Sequence, residues 1–386
     1  MKIIPYGKQS IDKSDINAVI ETLKSDFLTQ GPKILEFEKN FANYVGAKYA
    51  VAVSNGTTAL HLAVRVLGIK ENEYALTTPI TFSASANCVL YCGGKVDFVD
   101  IDPKTYCMDI NLLEDELKKN PNKIKGIVPV SFAGYPLELS AFRKLADKYN
   151  FWIIEDACHA FGAEYIDGNN QWQKTGNSKY ADISVFSFHP VKHVTTGEGG
   201  MLTTNSQEIY EKLLLLRSHG IRKTKSTNPK DGEWFQEMID LGFNYRITDI
   251  QCSLGNSQLK RADANLSSRR KIAAKYDEAF KNIGEVVTPY VDKTKAKHGY
   301  HLYVVQVNNR LEVYNYLREK GIYTQVHYVP IHMMDYYKKN HPTKNSLKRA
   351  EEYYQHCLSI PMYHSLTEAD QATVIEEIKK AVKIYG

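Results

Sequence analysis

Short runs of β-branched and aromatic residues alternate with amphipathic stretches between residues 48 and 204 of the chain. Stretches such as LSAFRKLADKY (139–149) place their apolar residues at helical spacing. Strands that alternate with helices are typical of βαβ units, which build parallel sheets covered on both faces. We therefore predict an α/β fold with a mainly parallel sheet, whose candidate strands are YAVAV (49–53), KVDFVDI (95–101), IKGIVPVSF (124–132), FWIIED (151–156), DISVFSF (182–188) and GMLTT (200–204).

The pattern changes in the last third of the chain. A long helical pattern covers residues 249–282, and the stretches HLYVVQV (301–307), RLEVYNYLREKG (310–321) and IYTQVHYVP (322–330) follow it. This order predicts a second, smaller α+β domain that is closed by helices. We place the large domain at residues 1–255 and the small domain at 256–386, with the boundary inside the long helical pattern.

Composition and charge exclude several classes of protein. The 386 residues are 43% hydrophobic, and their net charge of +5 is too weak to indicate a nucleic-acid partner but suits an anionic small molecule such as a nucleotide. No stretch reaches the roughly 20 apolar residues of a membrane helix, and the N-terminus lacks the apolar run of a signal peptide. The cysteines form no paired framework, and the histidine spacing matches no zinc motif. We expect a cytoplasmic protein without a metal site or a membrane partner.

The stretch SNGTTALHLAV (54–64) follows a predicted strand and opens a helix. The first backbone N–H groups of a helix lack partners within it and lie at the positive end of its dipole, so they bind phosphate readily. Gly56 permits a close approach, and Thr57 and Thr58 add hydroxyl groups. Ser, Thr and Asn are also the usual helix caps. The motif by itself leaves a phosphate site and a plain cap both open.

Asp156, in IIEDACHA (153–160), ends a predicted strand at the position where open parallel sheets bind ligands. A carboxylate there costs free energy unless a cation faces it, and a protonated pyridine nitrogen is such a cation. His159 follows three residues later and is placed to contact the same ligand. The alternatives are a helix cap for Asp156 and a hydrogen-bonded helix start for His159.

Lys192 lies in SFHPVKHVTTGEGG (187–200), in a turn between Ser187 and the strand GMLTT. The glycines of this turn permit tight backbone paths near a ligand. A lysine that is flanked by apolar residues in such a site loses its charge more easily and can then attack an aldehyde. An exposed lysine or a phosphate-binding lysine is the alternative.

A phosphate loop, then an acid at a strand end, then a lysine after a further strand is the order of a fold-type I pyridoxal-phosphate enzyme. From about residue 6 to the C-terminal helices, the chain resembles the DegT/DnrJ/EryC1/StrS family of sugar aminotransferases. The resemblance rests on the motifs LTQGPKILEFEKNFANYVGAKYAVAVSNGTTALHLA, FVDIDPKTY, IIEDACHAFGAEY, FSFHPVKHVTTGEGGML, LRSHGI and GFNYRITDIQCSLGNSQL. It implies a seven-stranded, mainly parallel sheet flanked by helices, a smaller α+β C-terminal domain, and pyridoxal 5′-phosphate as cofactor.

The resemblance also implies roles for individual residues. Lys192 forms the Schiff base with the cofactor, and Asp156 pairs with its pyridine nitrogen. The other implied cofactor contacts are Thr57, Thr58 and Ser187 at the phosphate, Phe82 over the ring, and Asn244 at the phosphate that the neighbouring subunit binds. Sites shared in this way make the expected assembly a homodimer.

Two positions depart from the common family pattern. His159 stands where many members have Gln near the 3-hydroxyl of the cofactor, so a polar contact is kept there. Val191 stands where Gly is common before the lysine, which adds bulk beside the Schiff base. Neither change removes a chemical role, and both indicate a subgroup.

A family member of this kind moves an amino group from a donor, here L-glutamate, to a nucleotide-linked keto sugar, and the freed lysine amine moves the proton. The stretches IPYGKQSID (4–12), KHGYHLYVV (297–305) and YTQVHYVPIH (323–332) resemble members that aminate C4 of a UDP-4-keto-6-deoxy-N-acetylhexosamine. The product that this resemblance implies is UDP-4-amino-4,6-dideoxy-N-acetyl-β-L-altrosamine, for pseudaminic acid biosynthesis. Tyr6 and His327 are then implied as substrate contacts; a packed aromatic and a hydrogen-bonded strand histidine are the alternatives.

Other activities of the same fold stay open to different degrees. Members that aminate UDP-4-keto-arabinose or dTDP-keto-hexoses share every cofactor motif. A sugar 3-dehydratase branch has histidine in place of the Schiff-base lysine, so the presence of Lys192 disfavours it. An amino-acid aminotransferase needs a carboxylate clamp, usually arginine, and none is evident from the sequence.

Overall fold

The computed structural model describes residues 2–120, 122–223 and 232–386. The α-helices in these ranges are α1 (Lys13–Leu23), α2 (Pro32–Val45), α3 (Gly56–Leu67), α4 (Ala84–Tyr91), α5 (Ile110–Lys119), α6 (Leu139–Tyr149), α7 (Gln207–Arg217), α8 (Asp249–Leu259), α9 (Ala262–Phe280), α10 (Arg310–Glu319), α11 (Asp335–Asn340), α12 (Lys348–His356) and α13 (Glu368–Tyr385). The strands are β1 (Ile4–Pro5), β2 (Tyr49–Val53), β3 (Tyr74–Thr77), β4 (Lys95–Phe98), β5 (Ile124–Val128), β6 (Trp152–Asp156), β7 (Glu164–Ile166), β8 (Trp172–Lys174), β9 (Ile183–Ser187), β10 (Gly200–Thr204), β11 (Ile221–Lys223), β12 (Gln236–Met238), β13 (Val286–Val287), β14 (Ala296–Lys297), β15 (Tyr303–Val307), β16 (Ile322–Tyr323) and β17 (Cys357–Ile360).

A seven-stranded sheet forms the centre of the molecule, in the order β2-β10-β9-β6-β5-β3-β4. Strand β10 is antiparallel to its neighbours β2 and β9, whereas β9, β6, β5, β3 and β4 pair in parallel. The predicted seven-stranded, mainly parallel α/β sheet is therefore confirmed. Strand β3 is the strand of this sheet that the sequence pattern does not predict. It is only four residues long, YALT, and directly follows the polar residues ENE.

Alternate residues of the sheet face two different layers of helices, as expected for a sheet covered on both sides. Val51 and Val53 of β2 join a buried cluster with residues of α3. Ala50 and Ala52 of the same strand face the opposite way, into a buried cluster with Phe41 of α2. The two helical layers hold the sheet from both sides. The loops that follow the carboxyl ends of its strands therefore begin at well-defined positions.

A second, antiparallel sheet lies in the C-terminal part of the chain. Strand β15 pairs with β13 and β17, and the buried cluster around it includes residues of α9, α10 and α13. Strand β1 pairs in parallel with β16, with Ile4 opposite Ile322, so the start of the chain joins this C-terminal part. None of the helices in the described ranges is long and apolar enough to cross a membrane.

The helical pattern over 249–282 forms two helices, with a break between α8 and α9 at residues 260–261. The boundary predicted between residues 255 and 256 falls inside α8. Helix α8 packs closely on α2: a Cβ atom at Gly255 would come within 2.6 Å of the Phe37 ring. The division into domains at this point stays a prediction.

Candidate active site

A cavity of about 520 Å³ lies at the carboxyl ends of β2, β6 and β9. Segments that follow these three strands form its walls, together with the start of α4, the N-terminal segment and two loops of the C-terminal part. The predicted residues that line it are Tyr6, Thr57, Phe82, Asp156, His159, Ser187, Lys192 and His327. The structure therefore brings together, in one cavity, side chains from across almost the whole sequence.

One end of the cavity is formed by the start of α3. Asn55 is the N-cap, its side chain accepts a 2.8 Å hydrogen bond from the Thr58 N–H, and the Thr58 hydroxyl accepts one of 3.2 Å from the Asn55 N–H. Gly56 lies close to the end of β9, since a Cβ there would come within 3.0 Å of the Ser187 Cβ. Thr57 and Ser187 thus flank a helix N-terminus, an arrangement suited to a phosphate.

Two predicted phosphate contacts do not line the cavity of this chain. Thr58 is engaged in the capping box, where its hydroxyl also donates a 2.8 Å hydrogen bond to the Asn55 carbonyl. Asn244 is exposed and forms a backbone bridge with Ser218. The role predicted for Asn244 concerns a neighbouring subunit, so it stays a prediction, as does the phosphate contact of Thr58.

Asp156 ends β6 inside the cavity and is only 5% exposed. The Ser85 hydroxyl donates a 2.7 Å hydrogen bond to its Oδ2, and the Cys158 N–H donates a 3.1 Å hydrogen bond to its Oδ1. No salt bridge reaches this carboxylate from the residues that the structure describes. Because a buried carboxylate is costly without a cationic partner, the site is suited to a ligand that carries a positive charge at this point.

Lys192 lies in the turn after β9, where its N–H donates a 2.9 Å hydrogen bond to the His189 carbonyl. The side chain lines the cavity and is partly exposed, yet the surrounding protein atoms displace most of its water. This burial lowers the pKa of Lys192 to about 8; Cys158 and Asp156 oppose the shift, and Arg269 adds to it. A lysine with a lowered pKa supplies the neutral amine that attacks aldehydes.

His159 and two residues that the sequence analysis did not assign to the site form one wall. The His159 Nδ1 accepts a 3.3 Å hydrogen bond from the Ala133 N–H, and its Nε2 lies 3.3 Å from the Tyr328 hydroxyl. The rings of His159 and His301 have centroids 4.4 Å apart. Burial holds the pKa of both histidines well below the usual value, with Lys192 adding to the effect, so both rings are neutral. Phe82 lies at the mouth, 60% exposed.

Tyr6 and His327 line the cavity together, with ring centroids 5.2 Å apart. The β1–β16 pairing brings Tyr6 there, and its carbonyl accepts a 2.9 Å hydrogen bond from the Met362 N–H. His327 is buried, its Nδ1 lies 2.8 Å from the Ser359 hydroxyl, and burial lowers its pKa to about 3. These two side chains present polar atoms in a largely neutral wall.

Sequence reasoning missed Ser85, His301 and Tyr328 as members of the site. Ser85 lies three residues after Phe82 in TPITFSASAN (78–87), and His301 lies in KHGYHLYVV (297–305), one of the stretches that indicate the substrate. Their contacts with Asp156 and Lys192 join positions 71 and 109 residues apart. The position of His301 at the start of the stretch HLYVVQV (301–307) was the signal available, but the sequence does not show what the side chain faces.

Comparisons with known proteins identify the family of this chain. The model of the DegT/DnrJ/EryC1/StrS aminotransferase family matches residues 9–379. The chain is 40% identical over 390 residues to a UDP-4-amino-4,6-dideoxy-N-acetyl-beta-L-altrosamine transaminase of Campylobacter jejuni, covering 98% of this chain and 99% of that protein. It superposes on Helicobacter pylori PseC, an aminotransferase of pseudaminic acid biosynthesis, with a TM-score of 0.90 at 32% identity, covering 100% of each chain.

A further solved relative is the putative sugar aminotransferase Spr1654 of Streptococcus pneumoniae. Its PLP form matches with a TM-score of 0.88 at 26% identity, and its PMP form with a TM-score of 0.89 at 27% identity, each covering 99% of both chains. Matches of this extent include every segment that contributes to the cavity. The chain belongs to the DegT/DnrJ/EryC1/StrS aminotransferase family.

Proposed function

We propose that this chain uses pyridoxal 5′-phosphate to move an amino group from L-glutamate to C4 of a UDP-4-keto-6-deoxy-N-acetylhexosamine, forming UDP-4-amino-4,6-dideoxy-N-acetyl-β-L-altrosamine. One observation carries the proposal. The amine of Lys192, the buried carboxylate of Asp156 and the N-terminus of α3 all line a single cavity of about 520 Å³. These are the groups needed to hold an aldehyde, a pyridine nitrogen and a phosphate of one small molecule.

The described residues fit this cofactor. Asp156 is a buried carboxylate that forms no salt bridge within the described residues, and a protonated ring nitrogen would be a cationic partner for it. Gly56 leaves space between α3 and Ser187 that a Cβ would fill, which keeps the helix N-terminus open. Thr57 and Ser187 add hydroxyl donors at the same end. When bound, pyridoxal phosphate supplies an electron sink that lets an amino group leave one carbon and join another.

The protein residues have separable tasks around this chemistry. Asp156 holds the proton on the ring nitrogen, and Ser85 fixes the orientation of the carboxylate through its 2.7 Å hydrogen bond. Lys192 is the residue that bonds to the cofactor, and its free amine holds or moves a proton at Nζ. His159 and Phe82 line the same cavity.

The acceptor sugar is supported by two kinds of observation. Tyr6 and His327, in two of the stretches that indicate this substrate, lie side by side in the cavity. Relatives that resemble this chain along its full length carry the names of the altrosamine transaminase and of PseC. Another nucleotide-linked keto sugar as acceptor is an outcome of the test below.

We also propose a homodimer with shared sites. The proposal is supported by the family resemblance and by the position of Asn244, which is exposed and does not line the cavity of its own chain. A partner subunit related by twofold symmetry would bring its Asn244 to this cavity and receive the same contact in return.

The visible absorption spectrum of the purified protein with pyridoxal phosphate tests the proposed function. The wild-type protein is expected to show the absorption band of a lysine-bound cofactor, and Lys192→Ala is expected to lack it. L-Glutamate should bleach the band, and the UDP-4-keto sugar should restore it. Bleaching by L-glutamate without restoration by this sugar would support an aminotransferase whose acceptor is another nucleotide-linked keto sugar. A wild-type protein without the band would contradict the role of Lys192.

A further inference from the structure

His301 differs in what its ring contacts from two other buried histidines nearby, His298 of the same loop and His193 of the turn that carries Lys192. The His298 Nδ1 accepts a 2.7 Å hydrogen bond from the Tyr300 N–H, and the His193 Nε2 donates one of 2.7 Å to the Gly299 carbonyl. Those two rings therefore hold the backbone of the loop. The His301 Nε2 instead lies 3.3 Å from the Lys192 Nζ. Its Nδ1 is buried and has no hydrogen-bond partner among the residues that the structure describes.

The backbone that carries His301 is fixed by a buried arginine. Arg269 of α9 is 1% exposed, and its Nη1 donates hydrogen bonds of 3.0 Å to the Tyr300 carbonyl and 3.3 Å to the His301 carbonyl. On the other side, the Leu302 N–H donates a 3.1 Å hydrogen bond to the Ala133 carbonyl. His159 packs against the His301 ring at 4.4 Å. The imidazole therefore has a set position, whereas the lysine side chain that it faces is long and flexible.

The charges around this pair keep the imidazole neutral. The titratable and charged groups that act on Lys192 or on His301 are Asp156, Cys158, His159, His193, Arg269 and His327. No carboxylate is hydrogen-bonded to the His301 ring within the described ranges, and burial disfavours its charged form. A neutral imidazole with a lone pair at Nε2 accepts a hydrogen bond from an ammonium or an amine.

We propose that His301 is a positioning residue, which holds the free amine of Lys192 by accepting a hydrogen bond from Nζ at its Nε2. The ring proton then lies on Nδ1. The contact restrains the amine of Lys192 while that amine is free, which is when it has to move a proton in the proposed reaction. The catalytic consequence of this contact rests on the proposed function, whereas the contact itself does not.

The contact can be tested in the full-length protein without cofactor. The acetylation rate of Lys192 by acetic anhydride is measured against pH by mass spectrometry in wild-type protein and in His301→Phe, His301→Gln and His298→Phe. An acceptor that faces the ammonium favours the charged form. The midpoint of the curve of acetylation rate against pH reports the pKa of Lys192. His301→Phe, which keeps a ring but removes both nitrogens, should move this midpoint down by about half a pH unit, a threefold change in the ratio of ammonium to amine. His301→Gln, with an amide oxygen, should stay near wild type.

His298→Phe is the matched control, because it removes the same nitrogens from the same loop without touching Lys192. It should leave the midpoint unchanged. A shift of equal size in His298→Phe, or an unchanged midpoint in His301→Phe, would overturn the proposal. If phenylalanine prevents folding at position 301, His301→Leu makes the same comparison.

A second measurement addresses catalysis with pyridoxal phosphate bound. The single-turnover rate of the reaction with L-glutamate should fall about tenfold or more in His301→Phe, because a positioned proton-transfer group contributes about 10²–10⁴-fold in total. The glutamate concentration at half-saturation should not change, and His301→Gln should recover part of the rate. A wild-type protein that does not react with glutamate would contradict the proposed function, and the acetylation experiment would still decide on the contact.

Discussion

The Ser85 hydroxyl donates a 2.7 Å hydrogen bond to Oδ2 of Asp156, across 71 residues of sequence. Thr81 extends the contact, since its Oγ1 lies 2.8 Å from the Ser85 Oγ. The other carboxylate oxygen accepts from the Cys158 N–H. The carboxylate is therefore oriented by groups of the protein itself, before any ligand is considered.

Replacing Ser85 with alanine should destabilise the cofactor-free protein. The change leaves a buried carboxylate with one fewer donor, and such a loss costs about 1–3 kcal/mol. Urea unfolding followed by far-UV circular dichroism measures the difference. Ser83→Ala is a suitable control, because Ser83 precedes the same helix and its side chain makes no capping hydrogen bond. Equal stability of Ser85→Ala and Ser83→Ala would contradict the importance of this contact.

The lowered pKa of Lys192 predicts a stability difference that depends on pH. Burial lowers this pKa from 10.5 to about 8, so the folded protein disfavours the ammonium form. Below about pH 8 the free-energy cost of burying the ammonium form is fully present in the folded protein. Between pH 8 and 10.5 the unfolded chain binds more protons than the folded protein, so folding becomes more favourable as pH rises. Lys192→Met removes the charge and keeps the length of the side chain. Without cofactor it should be more stable than wild type at pH 7, with the difference shrinking as pH approaches 10.5.

Urea unfolding of both proteins at several pH values measures this difference. Lys275→Met is the control, since Lys275 is exposed in a surface ion pair with Glu368. A stability difference for Lys192→Met that is constant from neutral to alkaline pH would show that the amine titrates normally in the folded protein.

Tyr6 offers a clean test of acceptor binding. Its hydroxyl has no hydrogen-bond partner within the described ranges, and burial raises its pKa, so it is a protonated donor that faces the cavity. Tyr6→Phe should raise the KM for the keto sugar about tenfold, the equivalent of about 1.4 kcal/mol. The reaction with L-glutamate should be unchanged, because that step does not use the sugar. Tyr91→Phe, at an exposed tyrosine outside the cavity, is the control. A change in the glutamate reaction alone would assign Tyr6 to a different step.

The sequence predicts the parts of this molecule that depend on local pattern. Asp156 ends one apolar strand and Lys192 lies in the turn after another, and the structure places both in the cavity at the carboxyl edge of the sheet. Ser85 and His301 could not be assigned in this way, because their contacts depend on how distant segments meet in three dimensions. Strand β3 is missed for a related reason: its four residues acquire strand geometry by pairing with β4 and β5 on either side.

Subunit complementation tests the proposed sharing of sites through Asn244. Asn244→Ala and Lys192→Ala should each have little or no activity alone, the first through a lost phosphate contact and the second through the lost amine. In a mixed dimer, the site that keeps Lys192 receives Asn244 from the partner subunit and is complete. After unfolding and refolding together in equal amounts, half of the dimers are mixed and each holds one complete site. The mixture should therefore recover about a quarter of wild-type activity, as expected for a twofold assembly. If Asn244 acted within its own subunit, no pairing would restore a site, and the mixture would stay as inactive as its components.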